Sequence, residues 1–248
     1  MNSPASPEIS AAPGAPGAIE HAGPPAPGLI PPWGSVLVVV AHPDDESFGL
    51  GAVISHLLAR GTAVTVLCLT KGEASTLHGI PGELAGLRQV ELQAAAEALG
   101  GAQAALRGYP DGGLAAVPAE TLVQEAVRSA GSSGAQAVLV FDVDGVTGHP
   151  DHAAASRAGV EAAGRLGLPV LAWTLPTAVA AQLNDEFAAS FTGHRADEVD
   201  LVLPVDRSRQ RVAIAAHASQ AVPSSVLWRR LELLGAVEHL RWVHSAGV

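Results

Sequence analysis

Lysine is almost missing from this 248-residue chain: Lys71 is the only one, and 14 basic residues face 24 acidic ones for a net charge of −10. Binding to a phosphate backbone rests on clustered Lys and Arg, so a nucleic-acid partner is not expected. The same shortage leaves no polybasic segment for a membrane surface. No apolar run approaches the roughly 18 residues of a membrane span. Cysteine is equally scarce: the single Cys68, inside Val64-Thr65-Val66-Leu67-Cys68-Leu69, has no internal partner and reads as a small buried hydrophobe. With only 4 Phe and 1 Tyr, a core must be built mostly from Ala, Val and Leu. The positive n-region of a secretory signal is also missing, since Arg60 is the first Lys or Arg, and a cytoplasmic location is expected.

Residues 1–34 hold half of the 18 prolines, with Ala, Gly and Ser between them. Such a segment buries too little apolar surface to offset its chain entropy, so disorder is expected there, followed by one domain over 35–248. From Ser35 onward, apolar runs alternate with helical stretches. The runs Val36–Ala41, Val64–Leu69, Ala137–Phe141, Pro169–Thr174 and Val199–Val205 read as buried parallel strands, with Ala104–Arg107 a weaker one. Helices are expected over Phe48–Arg60, Glu83–Leu99, Ala119–Ala130, Pro150–Leu166, Ser208–Ser219 and Ser225–Val243. The expected class is α/β, a three-layer Rossmann-like, mainly parallel sheet with helices on both faces.

Two stretches carry the chemistry. Ala41-His42-Pro43-Asp44-Asp45-Glu46 places an imidazole and three carboxylates directly after an apolar strand. Charges concentrated at the end of a buried strand are costly unless a cation or a reaction uses them. Capping of the following helix needs one acid and explains neither the second acid nor the histidine. The second stretch, His149-Pro150-Asp151-His152, also follows an apolar run. Pro150 suits the first helical position, which makes His149 the N-cap and puts His152 on the same face. Both stretches fall at expected strand ends, as do Lys71–Ser75 and Asp111, and ligands bind beyond the carboxyl ends of parallel strands. Two imidazoles and a carboxylate with one open position form the ligand set of a hydrolytic zinc site.

Together, Ala-His-Pro-Asp-Asp-Glu and Gly-His-Pro-Asp-His resemble the signatures of the LmbE-like, or PIG-L, family of zinc-dependent de-N-acetylases of N-acetylglucosaminyl compounds. Lys71-Gly72-Glu73, Arg88 and Glu91, Tyr109-Pro110-Asp111-Gly112 and His217-Ala218-Ser219-Gln220 extend the resemblance over roughly Ser35 to Gln220. By position, it implies that His42, Asp45 and His152 bind Zn²⁺, that Asp44 is the general base, and that His149 stabilises the oxyanion or protonates the leaving amine. Arg88 and Asp111 would contact a small amino-sugar substrate, and Glu46 would stand behind a ligand. A protonated His149 would be favoured by a nearby carboxylate such as Asp142 or Asp144. One departure stands out: Thr147 precedes the Gly-His pair, where members acting on mycothiol precursors often carry an aromatic residue.

Rival readings exist. Asp142-Val143-Asp144-Gly145-Val146-Thr147 looks like the signature of haloacid-dehalogenase-like Mg²⁺-dependent phosphatases, with Asp142 as phosphoryl acceptor, but no lysine follows Lys71 to neutralise phosphate. His42-x-Asp44 with His152 is formally an Fe(II) facial triad, on a scaffold too helical for that class. A sugar-binding domain without turnover is the non-enzymatic alternative. His217 reads equally as a pocket residue or a helix residue; His56, His78, His194 and His239 read as surface positions. A homo-oligomer is compatible with the sequence.

Overall fold

A computed structural model describes residues 29–77 and 83–243. Most of the segment expected to be disordered, and His78, lie outside the described residues. The first apolar run forms β1 (Ser35–Val40), whose last five residues are buried. It lies inside one seven-stranded sheet, among the described residues, with β2 (Ala63–Thr70), β3 (Gln103–Tyr109), β4 (Ala137–Phe141), β5 (Val170–Thr174), β6 (Leu201–Pro204) and β7 (Val237–Val243). The order is β3-β2-β1-β4-β5-β7-β6. Strands β3 through β5 pair in parallel, and β1 contacts β2 on one side and β4 on the other. The chain therefore winds outward in two directions from the β1/β4 seam. In open α/β sheets a crevice forms at such a reversal, beyond the strand ends. Both motifs begin at that seam.

Helices cover both faces. The connections are α1 (Asp45–Phe48), α2 (Gly51–Ala59), α3 (Leu84–Leu99), α4 (Ala119–Ser133), α5 (Pro150–Leu166), α6 (Thr177–Phe187), α7 (Ser208–Ala216) and α8 (Val226–Leu234). Alternate residues of β1 feed opposite cores. Val36, Val38 and Val40 share one with Ile54 and Leu57 of α2, while Leu37 and Val39 share the other with Leu122 and Ala126 of α4. That division is the period-two geometry of a strand buried on both faces.

The expected helix over Phe48–Arg60 arrives as two pieces broken around Gly49. A side chain at Gly49 would collide with the Phe141 ring. Gly49→Val is therefore expected to displace Phe141 and to destabilise the fold by about 1–3 kcal/mol, as overpacking does, measurable by urea unfolding.

Two expectations near the C-terminus are corrected. Ser225–Val243 is not one helix: α8 ends at Leu234, Gly235 turns the chain at φ +56°, and Val237–Val243 becomes a strand. β7 inserts antiparallel between β5 and β6. Val199–Val205 accordingly forms an antiparallel edge strand, with alternating exposure, rather than a buried parallel one. Helix α6 occupies a stretch for which the sequence pattern predicts no helix.

β7 brings Glu238 into the core at 1% exposure. Its carboxylate accepts from Trp173 Nε1 at 2.8 Å and pairs with Arg207 Nη1. Arg207 also donates to the carbonyls of Gly235 and Val237, so the network fixes the α8–β7 turn. Glu238→Ala leaves the guanidinium and the indole N–H buried without their acceptor. A loss of about 3–5 kcal/mol in unfolding free energy is expected, read from the midpoint of chemical denaturation. A change below about 1 kcal/mol would show that water replaces the carboxylate.

Candidate active site

The turn after β1 is held by its own acids. Asp45 Oδ2 accepts from the backbone N–H groups of Ala41 and His42 at 3.1 and 2.9 Å, which folds its carboxylate back beneath the imidazole. Glu46, fully buried, accepts from Asp44 N, from Ser47 Oγ and from His217 Nε2 at 2.6 Å. Glu46 therefore shapes the turn. His217 is buried with it and faces Phe48 edge-on, not the cavity. Burial would lower the His217 pKa, but Glu46 and then Asp44 and Glu91 outweigh it and raise it.

Asp44 has φ +141°, a backbone state that side chains rarely adopt, costing about 1–3 kcal/mol. Its side chain makes no cap bond to the following helix, so capping does not account for it. Instead Asp44 Oδ2 lies 3.0 Å from Arg88 Nη2. Arg88 also donates to Gly72 O at 2.8 Å and to Pro43 O at 2.5 Å, so it braces the strained turn from α3. Burial, opposed by Arg88 and reinforced by Asp45, pushes the Asp44 carboxyl up to about 6.

The second motif folds as its sequence suggests. His149 is the N-cap of α5, Pro150 follows, and His149 Nδ1 accepts from Asp151 N at 3.2 Å. With that nitrogen occupied as an acceptor, neutral His149 carries its proton on Nε2. Burial, and then the neighbouring imidazoles of His42 and His152, lower its pKa.

The two motifs meet. His42 Nδ1 lies 3.1 Å from His152 Nε2, which lies 3.1 Å from Asp45 Oδ1, and His42 Nδ1 is 3.6 Å from Asp45 Oδ2. Ligand atoms about 2.0–2.1 Å from a tetrahedral zinc ion stand about 3.3 Å apart, so this spacing fits one ion. The outer nitrogens face polar groups. Thr147 Oγ1 is 2.6 Å from His152 Nδ1 and holds the ring with Nε2 toward His42 and Asp45; accepting from Nδ1–H, it would leave the Nε2 lone pair for an ion. His42 Nε2 faces Asp111 Oδ1 at 3.0 Å and Asp151 Oδ2 at 3.5 Å. Burial alone would lower the His42 pKa, yet Asp111, Asp151, Asp45 and Asp44 raise it to about 10. Three carboxylates facing one imidazole leave negative charge that a divalent cation would balance. His149 stands close by, its ring 4.8 Å from that of His42 and 5.1 Å from that of His152. The three imidazoles, and separately His42, Asp111 and Asp151, also form groups compact enough for an ion.

All seven residues singled out for the site line one cavity of about 750 Å³. Asp151, to which the motif alone assigns no role, belongs to the site as well. Fully buried, it accepts from Gly112 N and Leu114 N and reaches His42. Its place between two histidines, off their shared face, was the available signal. Asp142 and Asp144 do not serve His149. Asp142, 1% exposed, spends Oδ2 on His194 at 2.9 Å and Arg241 at 2.8 Å and Oδ1 on Val143 N, while Asp144 accepts from Val146 N. A phosphoryl acceptor has to face its substrate, and Asp142 does not. The acids near His149 are Asp151 and Asp45. His194, expected as a surface residue, is part of that anchor. The facial-triad set also separates: Asp45, not Asp44, meets His152.

The profile of the GlcNAc-PI de-N-acetylase family, PIG-L, matches residues 37–163, and the chain belongs to that family of hydrolytic amidases acting on N-acetyl groups. A 1D-myo-inositol 2-acetamido-2-deoxy-alpha-D-glucopyranoside deacetylase of Corynebacterium efficiens is 31% identical over 222 residues, covering 75% of this chain and 71% of the relative. Among solved structures, the N,N'-diacetylchitobiose deacetylase of Pyrococcus horikoshii aligns over 85% of this chain and 84% of its own, with 18% identity and a TM-score of 0.60. The 4-carboxy-2-hydroxymuconate hydratase GalB of Pseudomonas putida aligns as well, over 86% of this chain and 98% of its own, with 20% identity and a TM-score of 0.59. One fold thus carries two chemistries, and the reaction has to be argued from the site. Among the described residues no helix is long and apolar enough to cross a membrane.

Proposed function

We propose that this chain is a zinc-dependent hydrolase that removes the N-acetyl group from a small acetamido-sugar glycoside in the cytoplasm. The observation that carries the reading is the convergence of His42 Nδ1, Asp45 Oδ1 and His152 Nε2 beside the strained Asp44. His42, Asp45 and His152 would hold the ion. When bound, it polarises the amide carbonyl and brings the pKa of a water molecule down to about 7.

Asp44 takes the proton of the attacking water. Its carboxyl, raised toward neutrality by burial and steadied by Arg88, suits a general base at physiological pH. The proton then passes to the leaving amine. His149 presents Nε2–H toward the oxyanion, because Asp151 N occupies its other nitrogen. A donor so placed is worth about 3 kcal/mol in the transition state. Asp111 holds His42 at 3.0 Å while its other oxygen accepts from Ala74 N at 2.8 Å, which ties the substrate-facing loop to the site. The kinship with an inositol-linked glucosaminide deacetylase supports an acetamido sugar as substrate.

Acetate release from a panel of N-acetylated amino sugars, with and without chelator, tests the reading. Release that stops on chelation and returns with Zn²⁺ is expected; no release from any member of the panel by the zinc-loaded protein would overturn it. Thr147→Val removes the hydroxyl that orients His152. Zinc affinity is expected to fall by about 10- to 100-fold, measured by competition with a chromogenic chelator.

A further inference from the structure

The cavity wall is not polar throughout. Part of it is apolar, with Phe48, Phe191, Val226 and Leu227, and Phe141 edge-on to His152. Set into that wall is one cation, Arg230 of α8, at 5% exposure. Its Cζ stacks 5.0 Å from the centre of the Trp173 ring, and Nη2 donates to the carbonyl of Phe48. Nε has no partner. The acid nearest in character, Glu238, is already committed to Arg207 and to the indole of Trp173. Arg88 is likewise matched by Asp44. The remaining acids, Asp45, Asp111 and Asp151, surround His42 and would be answered by the divalent ion. Among the described residues, Arg230 is left as the one positive charge in the cavity wall without a counter-charge in contact. Interior cations are normally paired, and a guanidinium has a planar fork that fits carboxylate and phosphate oxygens. Burial, helped by Arg207 and resisted by Glu238, brings its pKa down to about 10, so it keeps its charge at neutral pH.

We propose that Arg230 is a specificity-determining residue that binds an oxyanion group, carboxylate or phosphate, carried by the substrate on the far side of the acetamido sugar. The apolar wall would cover the linker between sugar and anion. This rests on the deacetylase reading and narrows its substrate class from glucosaminides at large to anionic ones.

The test compares 4-carboxyphenyl N-acetylglucosaminide with its neutral 4-carbamoylphenyl counterpart, in both anomers, with N-acetylglucosamine 1-phosphate as a third substrate. In the zinc-loaded wild type, kcat/KM for the acid is expected to exceed that for the amide at least tenfold, mostly through KM. Arg230→Gln is expected to bring the ratio to within twofold of one, and Arg230→Lys to keep part of it, since charge survives and the fork does not. A high ratio for the phosphate but not the carboxylate would identify phosphate as the anion. Equal kcat/KM for acid, amide and phosphate in the wild type would overturn the proposal. So would equal losses on acid and amide in Arg230→Gln together with a lowered Tm, which is the result for a mere anchor of α8. Calorimetric binding of the deacetylated 4-carboxyphenyl glucosaminide to wild type and Arg230→Lys reads the same preference without turnover. Binding that distinguishes acid from amide, with no acetate released, would sink the deacetylase reading and spare Arg230; absent preference would sink Arg230 alone.

Discussion

Asp44→Asn is expected to lower acetate release by about 10²- to 10⁴-fold while the protein binds zinc as the wild type does. The amide side chain keeps the size of Asp44 and can still accept from Arg88, so the turn should survive. What is lost is the capacity to accept the proton of water. The loss should fall on kcat, because a base acts only in the transition state. Stopped turnover with intact metal content would tie the residue to proton transfer. If metal disappears from the variant instead, Asp44 is a ligand and the two neighbouring acids have exchanged parts. The distances favour the first outcome, since Asp45 Oδ1 faces His152 at 3.1 Å and Asp44 faces Arg88.

His152→Ala should give the opposite pattern. Here the ion is lost, and activity goes with it. Two of the short approaches that define the centre end on His152 Nε2, so its removal leaves His42 and Asp45 alone. Elemental analysis of the purified variant is expected to show zinc far below one equivalent, with acetate release at background. Far-UV circular dichroism should be unchanged, because His152 is a partly exposed residue of α5. Full zinc occupancy in this variant would mean that another group holds the ion, the cluster of His42, Asp111 and Asp151 being the alternative.

The convergence of the two motifs was legible because each half of the candidate site is local. His42 to Asp45 span one strand-to-helix turn, His149 to His152 one helix start, and backbone rules fix both at short range. That both lie at the ends of parallel strands followed from strand–helix alternation, whereas the strand order, with its reversal at β1/β4, did not. What stayed hidden depends on long-range pairing. The pattern Val237-Glu238-His239-Leu240-Arg241-Trp242-Val243 is compatible with continuing α8, and only the open edge of β5 selects a strand. The sequence signal was Gly235, a helix-ending residue, and the strand then buries Glu238 and Leu240 in alternation. Asp142 looked catalytic because its local sequence matches a phosphatase signature, yet Arg241 from β7 and His194 from a distant loop consume its carboxylate. Arg230 could not be singled out either, since being unpaired is a property of its neighbours in space.

The seam between β1 and β4 is narrow: Val36, Leu37 and Val38 sit opposite Ala137, Val138 and Leu139, and the imidazoles carried beyond it are 110 positions apart in the chain. An unfolded polypeptide brings such remote groups together only rarely, so it has almost no hold on the ion. Loading and folding would then be linked: if zinc is the ion, heat tolerance should climb with the logarithm of free zinc once the dissociation constant is exceeded. Scarcity of such a metal would narrow the margin against heat as well as the fraction at work.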